Sequence, residues 1–133
     1  MSTKKTKIGI NGFGRIGRLA FRLAYENPTL EFVHINEGIG SAESSCYLCN
    51  YDSVHGQWSH RLEYEESRDR IKVDDGVHEM TYTQEMDVSK VEWFTKYECD
   101  IVLECSGEFL TRESLNAYFA NGVKKVIVSA PVK

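Results

Sequence analysis

Six residues near the start of the chain, Gly12-Phe13-Gly14-Arg15-Ile16-Gly17, constrain its fold more than any other feature. They follow a short apolar run, Lys7–Asn11, and lead into an apolar repeat at Ile16, Leu19, Ala20, Leu23 and Ala24. That i, i+3, i+4, i+7, i+8 spacing predicts one buried face of a helix. G-x-G-x-x-G between a strand and a helix is the turn that opens a dinucleotide-binding βαβ unit. Gly12 allows the tight turn, Gly14 lets a pyrophosphate approach the backbone, and Gly17 lets helix and strand pack closely. The N–H groups near Arg15 and Ile16 are then unsatisfied donors at a helix start, where the dipole also favours phosphate. Arg15 reads either as a charge clamp or as a solvated first-turn side chain.

The rest of the chain continues the alternation. The first helix stops before Asn27-Pro28, because the residue before proline is pushed out of the helical region. Leu30–Asn36 reads as a second strand, and Ser41 can cap a helix through Cys46, Leu48 and Cys49 to about Tyr51. Leu62–Tyr64, Arg70–Val73 and Val77–Thr83 are short and partly alternating, with Asp75-Gly76 as a hairpin turn signal, so they read as a small antiparallel excursion. Asp100–Glu104 is a further strand. Thr111 can cap a helix through Leu115, Tyr118 and Phe119, and Gly122 sits where a C′ glycine belongs. Ser114 occupies the Glu/Gln position, so no full capping box is expected. Lys124–Ser129 is the final strand. This is an α/β pattern with a doubly wound, mostly parallel sheet of Rossmann type, and 1–133 reads as one domain.

Two further positions fit the glycine turn. Glu37 lies 20 residues beyond Gly17, just past the second strand. There an acidic residue hydrogen-bonds the adenosine ribose, and its charge repels the extra phosphate of NADP. No Arg or Lys occurs between Arg22 and Arg61, so NAD is favoured. Cys105-Ser106-Gly107 and Ser129 end two strands on the side where such sheets bind ligands; taken alone they are only small loop residues.

Composition excludes several classes. The 133 residues carry 20 acidic and 16 basic side chains, a net charge of −4 with no basic block. Charge therefore points to neither nucleic acid nor an anionic membrane as partner. The longest wholly aliphatic stretches, such as Ile101–Leu103, are three residues, against about 20 for a membrane span. No signal peptide is recognisable, and the cytoplasm is the expected compartment. Cys46, Cys49, Cys99 and Cys105 are then expected as free thiols. Cys46 and Cys49, with His55 and His60 following, have metal-like or redox-like spacing, but only five residues separate Cys49 from His55, against about 12 in a zinc finger. Two thiols on a buried helix face are expected instead, and no metal.

Four strings now come together: Gly9–Arg18 (GINGFGRIGR), Tyr51–Gly56 (YDSVHG), Ser106–Glu113 (SGEFLTRE) and Val126–Pro131 (VIVSAP). In this order the chain resembles phosphorylating glyceraldehyde-3-phosphate dehydrogenase over essentially its whole length. The resemblance implies a Rossmann NAD domain with strand order 3-2-1-4-5. It implies that Asn11, Arg15 and Ile16 line the pyrophosphate, that Glu37 binds the ribose, and that the Met86 backbone approaches the adenine. Ser106, Gly107, Phe109 and Ser129 are implied on the nicotinamide side. The family usually has Asp at Glu37, Arg at Met86 and Pro at Val88. Glu37, the run Asp52–Trp58 and the ending Ser-Ala-Pro-Val-Lys133 resemble a branch associated with arsenic-resistance operons, where arsenate is thought to replace phosphate as acyl acceptor.

The family's Ser-Cys-Thr-Thr-Asn nucleophile motif is absent from these residues, as is its catalytic histidine. That chemistry needs a thiolate, a base, and hydride transfer to NAD. Cys105 falls at a small Ser-type position rather than in the nucleophile's context, and His55 reads as a loop-positioning residue. The expected function is thus the NAD-binding segment of an oxidoreductase that oxidises an aldehyde phosphate, inactive alone. The alternative is a non-catalytic NAD-binding or interaction module. A missing catalytic half, a helper chain, or self-association through uncovered apolar surface are the expected macromolecular partners.

Overall fold

The computed structural model describes residues 4–52, 56–108 and 111–129. Its centre is β1 (Thr6–Asn11), buried from Ile8 onward. β1 pairs in parallel with β2 (Leu30–Asn36) on one side and with β8 (Ile101–Glu104) on the other. β9 (Lys125–Val128) adds in parallel beyond β8. On the far side of β2 lie β7 (His78–Thr83), then β6 (Arg70–Val73) and β5 (Leu62–Glu65). The sheet order is therefore β5-β6-β7-β2-β1-β8-β9. Its five parallel strands, taken in chain order, run 3-2-1-4-5. A separate two-stranded ribbon joins β3 (Tyr51–Asp52) to β4 (Gly56–Gln57).

β7 has two roles. It is antiparallel to β6 but parallel to β2, where His34, Ile35 and Asn36 face Thr81, Tyr82 and Thr83. The segment expected as part of a side excursion is thus also the third parallel strand. The turn before it is longer than a two-residue hairpin. Val73 faces His78, leaving Asp74–Val77 in the turn, with positive φ at Asp74, Asp75 and Gly76. Asp74 is pinned outside the ladder because it exchanges bonds with Arg61: the Asp74 N–H donates to the Arg61 carbonyl, and the Arg61 N–H donates to the Asp74 carboxylate.

Helices cover both faces. α1 (Arg15–Ala24) and α2 (Ala42–Asn50) lie over a core of Ile8, Ile10, Phe21, Phe32 and Ile35 that extends to Leu62, Ile71 and Met80. α3 (Arg112–Asn121) lies over a second core around Trp93, Val102, Leu115 and Tyr118. Gly9 serves that second face: a β-carbon there would stand 2.7 Å from Cys99 Sγ and 3.0 Å from the Trp93 ring. A strand residue with a side chain would push Trp93 out.

The face of α1 differs from the expectation. The helix buries Gly17 and Phe21, whereas Ile16 is 55% and Leu23 79% exposed. Phe21 decides the orientation. Its ring lies 5.0 Å from Phe32, 5.3 Å from Trp58 and 5.8 Å from Phe13, all edge-on. Burying one such ring stabilises by about 1.5–3 kcal/mol, with further edge-to-face gain. α3 also corrects an expectation. The Ser114 N–H donates to Thr111 Oγ1 and the Thr111 N–H donates to Ser114 Oγ, so serine closes a full capping box. Gly122 ends the helix at φ 114°, with its absent β-carbon 2.7 Å from Phe94.

Candidate functional site

The carboxyl ends of β1, β2, β7 and β8 open into a cleft of about 170 Å³. Parallel strands put their last carbonyls and following loops on one edge, and the order reverses between β2 and β8 around β1, so this edge lies at the topological switch. Asn11, Gly12 and Gly14 form the cleft's middle, Glu37, Gly38, Ile39, Glu85 and Met86 one end, and Cys105, Ser106 and Glu108 the other.

The three glycines of the turn differ physically. Gly12 has φ 91°, and a β-carbon on it would lie 2.6 Å from the Ser106 nitrogen. One on Gly17 would lie 2.2 Å from the Gly12 carbonyl oxygen. Both positions are closed by backbone. Gly14 meets nothing within 4 Å and borders the cleft. Gly14 is the N-cap of α1, makes no side-chain cap bond, and is followed by no acidic residue in the first turn. α2 and α3 instead cap themselves with Ser41 and Thr111. The helix that opens on the cleft therefore presents uncapped N–H donors and the positive end of its dipole.

Glu37 closes the β2 end. Its carboxylate accepts the Phe13 N–H at 2.6 Å and the Ile39 N–H at 3.2 Å. Gly38 leaves room for Met86, whose Sδ would stand 2.5 Å from a β-carbon there. Beneath the cleft runs a buried polar chain. Asn36 Nδ2 donates to Asn11 Oδ1 and to the Glu85 carbonyl, both at 2.8 Å. Asn11 Nδ2 donates to Glu104 Oε1 at 2.6 Å. Tyr118 from α3 donates to the same oxygen, and burial together with the Glu104 charge raises its phenol pKa. The sequence reading missed Asn36 and Glu104; a polar residue ending each of three adjacent aliphatic strands was the available signal.

Of the expected site residues, Asn11, Gly12, Gly14, Glu37, Met86 and Ser106 line this cleft. Arg15, Ile16, Gly17, Gly107 and Ser129 do not, although Gly17 supports the turn and the Ser129 N–H donates to the Glu104 carbonyl. Phe109, His55 and the segment 130–133 lie outside the described residues. Cys105 lines the cleft, but burial and then the Glu104 charge push its thiol up to about 11, so it stays protonated near neutrality. Cys46 and Cys49 are buried on α2, and burial holds both at about 12. Among the described residues no group of three or more His, Cys, Asp or Glu side chains could hold a metal ion, and no helix is long and apolar enough to cross a membrane.

Residues 6–112 match the family described as "Glyceraldehyde 3-phosphate dehydrogenase, NAD binding domain". Glyceraldehyde-3-phosphate dehydrogenase 3 of Nostoc sp. is 48% identical over 97% of the chain, which spans 37% of that relative. The Coccidioides posadasii glyceraldehyde-3-phosphate dehydrogenase is 40% identical over 94% of the chain, covering 36% of the relative. A cytosolic one of Magnolia liliiflora is 37% identical over 100% of the chain, covering 38% of the relative. The chain thus spans little more than a third of the length of these relatives.

Proposed function

We infer which residues hold the cofactor from one premise: the chain belongs to the glyceraldehyde-3-phosphate dehydrogenase family and carries that family's NAD-binding domain. The observation that carries the assignment is the uncapped start of α1 facing the cleft through Gly14, with the Glu37 carboxylate at the β2 end. The pyrophosphate of NAD sits over Gly12–Ile16, where free N–H groups and the helix dipole neutralise it. The adenosine lies toward Glu37 and Met86, and Glu37 accepts ribose hydroxyls. Its negative charge, with no Lys or Arg lining the cleft among the described residues, opposes a 2′-phosphate. The nicotinamide half lies toward Asn11 and Ser106, and the family resemblance assigns Gly107, Phe109 and Ser129 to the same half. The cleft's fit is tested by its glycines: Gly12 and Gly17 are closed by backbone and Gly14 alone is open, as a ligand resting on the turn requires.

The bound dinucleotide supplies a hydride acceptor. The residues of this chain bind and orient it; none is assigned to bond breaking. Residues 1–133 form the cofactor domain, and none of them carries the family's nucleophile. Absence of the Ser-Cys-Thr-Thr-Asn motif and the elevated Cys105 pKa support this. The complete enzyme oxidises an aldehyde phosphate to an acyl phosphate or, as the arsenic-associated resemblance implies, to an acyl arsenate. Its compartment is the cytoplasm, a reading supported by four free thiols and by a relative named as cytosolic. The alternative, a non-catalytic binding or interaction module, is favoured by the exposed Leu23, Ile16 and Ile127, which suit self-association, the catalytic half or a helper chain.

Calorimetric titration of the 133-residue chain with NAD and NADP tests the assignment. Saturable NAD binding with NADP at least tenfold weaker, about 1.4 kcal/mol, is expected. Equal affinities remove Glu37 from the ribose. Turnover of glyceraldehyde 3-phosphate by the chain alone refutes the non-catalytic assignment, and a constant mass by light scattering across a dilution series refutes association.

A further inference from the structure

Glu104 is 1% exposed at the end of β8, and its two carboxylate oxygens are divided between two tasks. Oε1 takes the Asn11 amide and the Tyr118 hydroxyl, at 2.6 and 2.5 Å. Oε2 takes both donors of Ser106, its N–H at 2.8 Å and its O–H at 2.6 Å. Ser106 lines the cleft, where a free N–H and O–H would give an anion two donors. Here both hydrogens point down to the buried carboxylate. The hydroxyl oxygen presents its lone pairs, one of which meets the Glu108 N–H at 3.3 Å. Glu108 adds a second carboxylate to the same end. The cleft is thus asymmetric: donor-rich over the start of α1, acceptor-rich beside β8.

We propose that Glu104 is a positioning residue that turns the Ser106 end of the cleft into an acceptor surface, which takes a neutral hydroxyl-bearing group and rejects an anion. The inference rests on the dinucleotide reading of the cleft. It adds why the ligand continues beyond the pyrophosphate as a nucleoside rather than as another phosphate. A ribose offers O–H donors to Ser106 Oγ; a third phosphate offers only acceptors and negative charge opposite Glu104 and Glu108. Asn11 is held by the same carboxylate, so the strand ends on both sides of this pocket share one buried anchor. Tyr118 fixes that anchor from α3.

Three magnesium-free ligands separate the possibilities: ADP, ADP-ribose and ATP, titrated calorimetrically into the full chain. All three contain adenosine diphosphate; ADP-ribose extends it by a ribose and ATP by a phosphate. The expected order is ADP-ribose about tenfold tighter than ADP, and ATP about tenfold weaker. In Glu104→Gln an amide N–H₂ faces donors, Ser106 is released, and both ratios collapse to within about threefold. ADP, which ends before the Ser106 end, is the reference against which both ratios are read. Ser106→Ala leaves the carboxylate with its backbone donor, so the ADP-ribose advantage falls while the ATP penalty stays; this variant carries the test if Glu104→Gln does not fold. Equal loss for all three ligands in Glu104→Gln means a structural role alone and overturns the proposal. So does a wild-type chain that does not distinguish the three, or an ATP penalty abolished by Glu108→Gln but untouched in Glu104→Gln. Absence of any ADP binding to the wild type instead removes the dinucleotide reading itself.

Discussion

The Glu37 carboxylate accepts the Phe13 N–H at 2.6 Å, tying the end of β2 to the glycine turn after β1. One side chain thereby shapes the turn and lines the cleft. Glu37→Gln keeps an acceptor but removes the charge. NADP affinity is expected to rise relative to NAD by about tenfold, near 1.4 kcal/mol, while NAD itself weakens modestly. Paired titrations of both dinucleotides check this, and an unchanged ratio contradicts it.

The glycine turn separates binding from folding. Gly14→Ala meets no neighbour at φ −78°, an ordinary conformation, so its melting temperature is expected to stay near wild type. Its methyl group faces the cleft, and NAD binding is expected to weaken at least about tenfold. Gly17→Ala drives a methyl group onto the Gly12 carbonyl, 2.2 Å away. It is expected to lose about 1–3 kcal/mol of stability, the range for overpacking. Thermal melts followed by circular dichroism, beside titrations, distinguish the two variants.

His34 makes stability depend on pH. It is fully buried on β2, stacked on Tyr97 at 3.8 Å, with ring nitrogens 2.5 and 2.8 Å from the hydroxyls of Thr81 and Thr83. Burial, helped by the charges of Lys96 and Arg70, holds its pKa at about 3 against an ordinary 6.5. Between those values the unfolded chain takes up a proton that the folded chain refuses. The contribution is therefore full above pH 6.5 and is lost as pH falls toward 3, at up to about 1.4 kcal/mol per pH unit. His60, bonded to Asp74 and Glu26, has its pKa raised and acts oppositely, losing its contribution as pH rises. Urea unfolding between pH 7 and 4.5 checks this. His34→Gln is expected to flatten the fall, whereas an unchanged slope would assign it to the carboxylates.

The thiols should react in order of burial. Cys105 is half-buried on the cleft; Cys46, Cys49 and Cys99 are buried and held at about 12. Iodoacetamide at pH 8 is expected to label Cys105 first, and NAD to slow that labelling. Mass spectrometry of timed aliquots tests it. Early labelling of Cys46 or Cys49 would revive a redox reading of that pair.

Gly17 and Phe21 show where sequence reasoning reached its limit. Two stripes run along α1: Ile16, Leu19, Ala20, Leu23 and Ala24 keep helical spacing, and so do Gly17, Phe21 and Ala24, with Ala24 common to both. Period alone cannot choose between them; Phe13, Phe32 and Trp58, distant in sequence, do so by packing on Phe21. Strand positions were easier, because a short run of β-branched residues between turn signals has few alternatives. The glycine turn and Glu37 were readable because their chemistry fixes their spacing. Glu104 was not, since a carboxylate ending a strand looks solvated until the donors of Asn11, Ser106 and Tyr118 are brought around it. Val77–Thr83 likewise reads as a hairpin arm, and only its pairing with β2 makes it part of the parallel sheet.

The position of β1 at the centre of the sheet has a consequence on the ribosome. It is synthesised before every other described strand, yet one of its two neighbours is β8, and the Lys7 N–H finds the Asp100 carboxylate 93 residues away. At about 5–20 residues per second, β1 waits roughly 5 to 20 seconds with that edge open after it is made. An unpaired edge beside Ile8 and Ile10 invites strand addition from other nascent chains. Slow elongation between Asn11 and Asp100 should therefore lower soluble yield even though the finished domain is unchanged, and a holdase that covers the open edge should restore it.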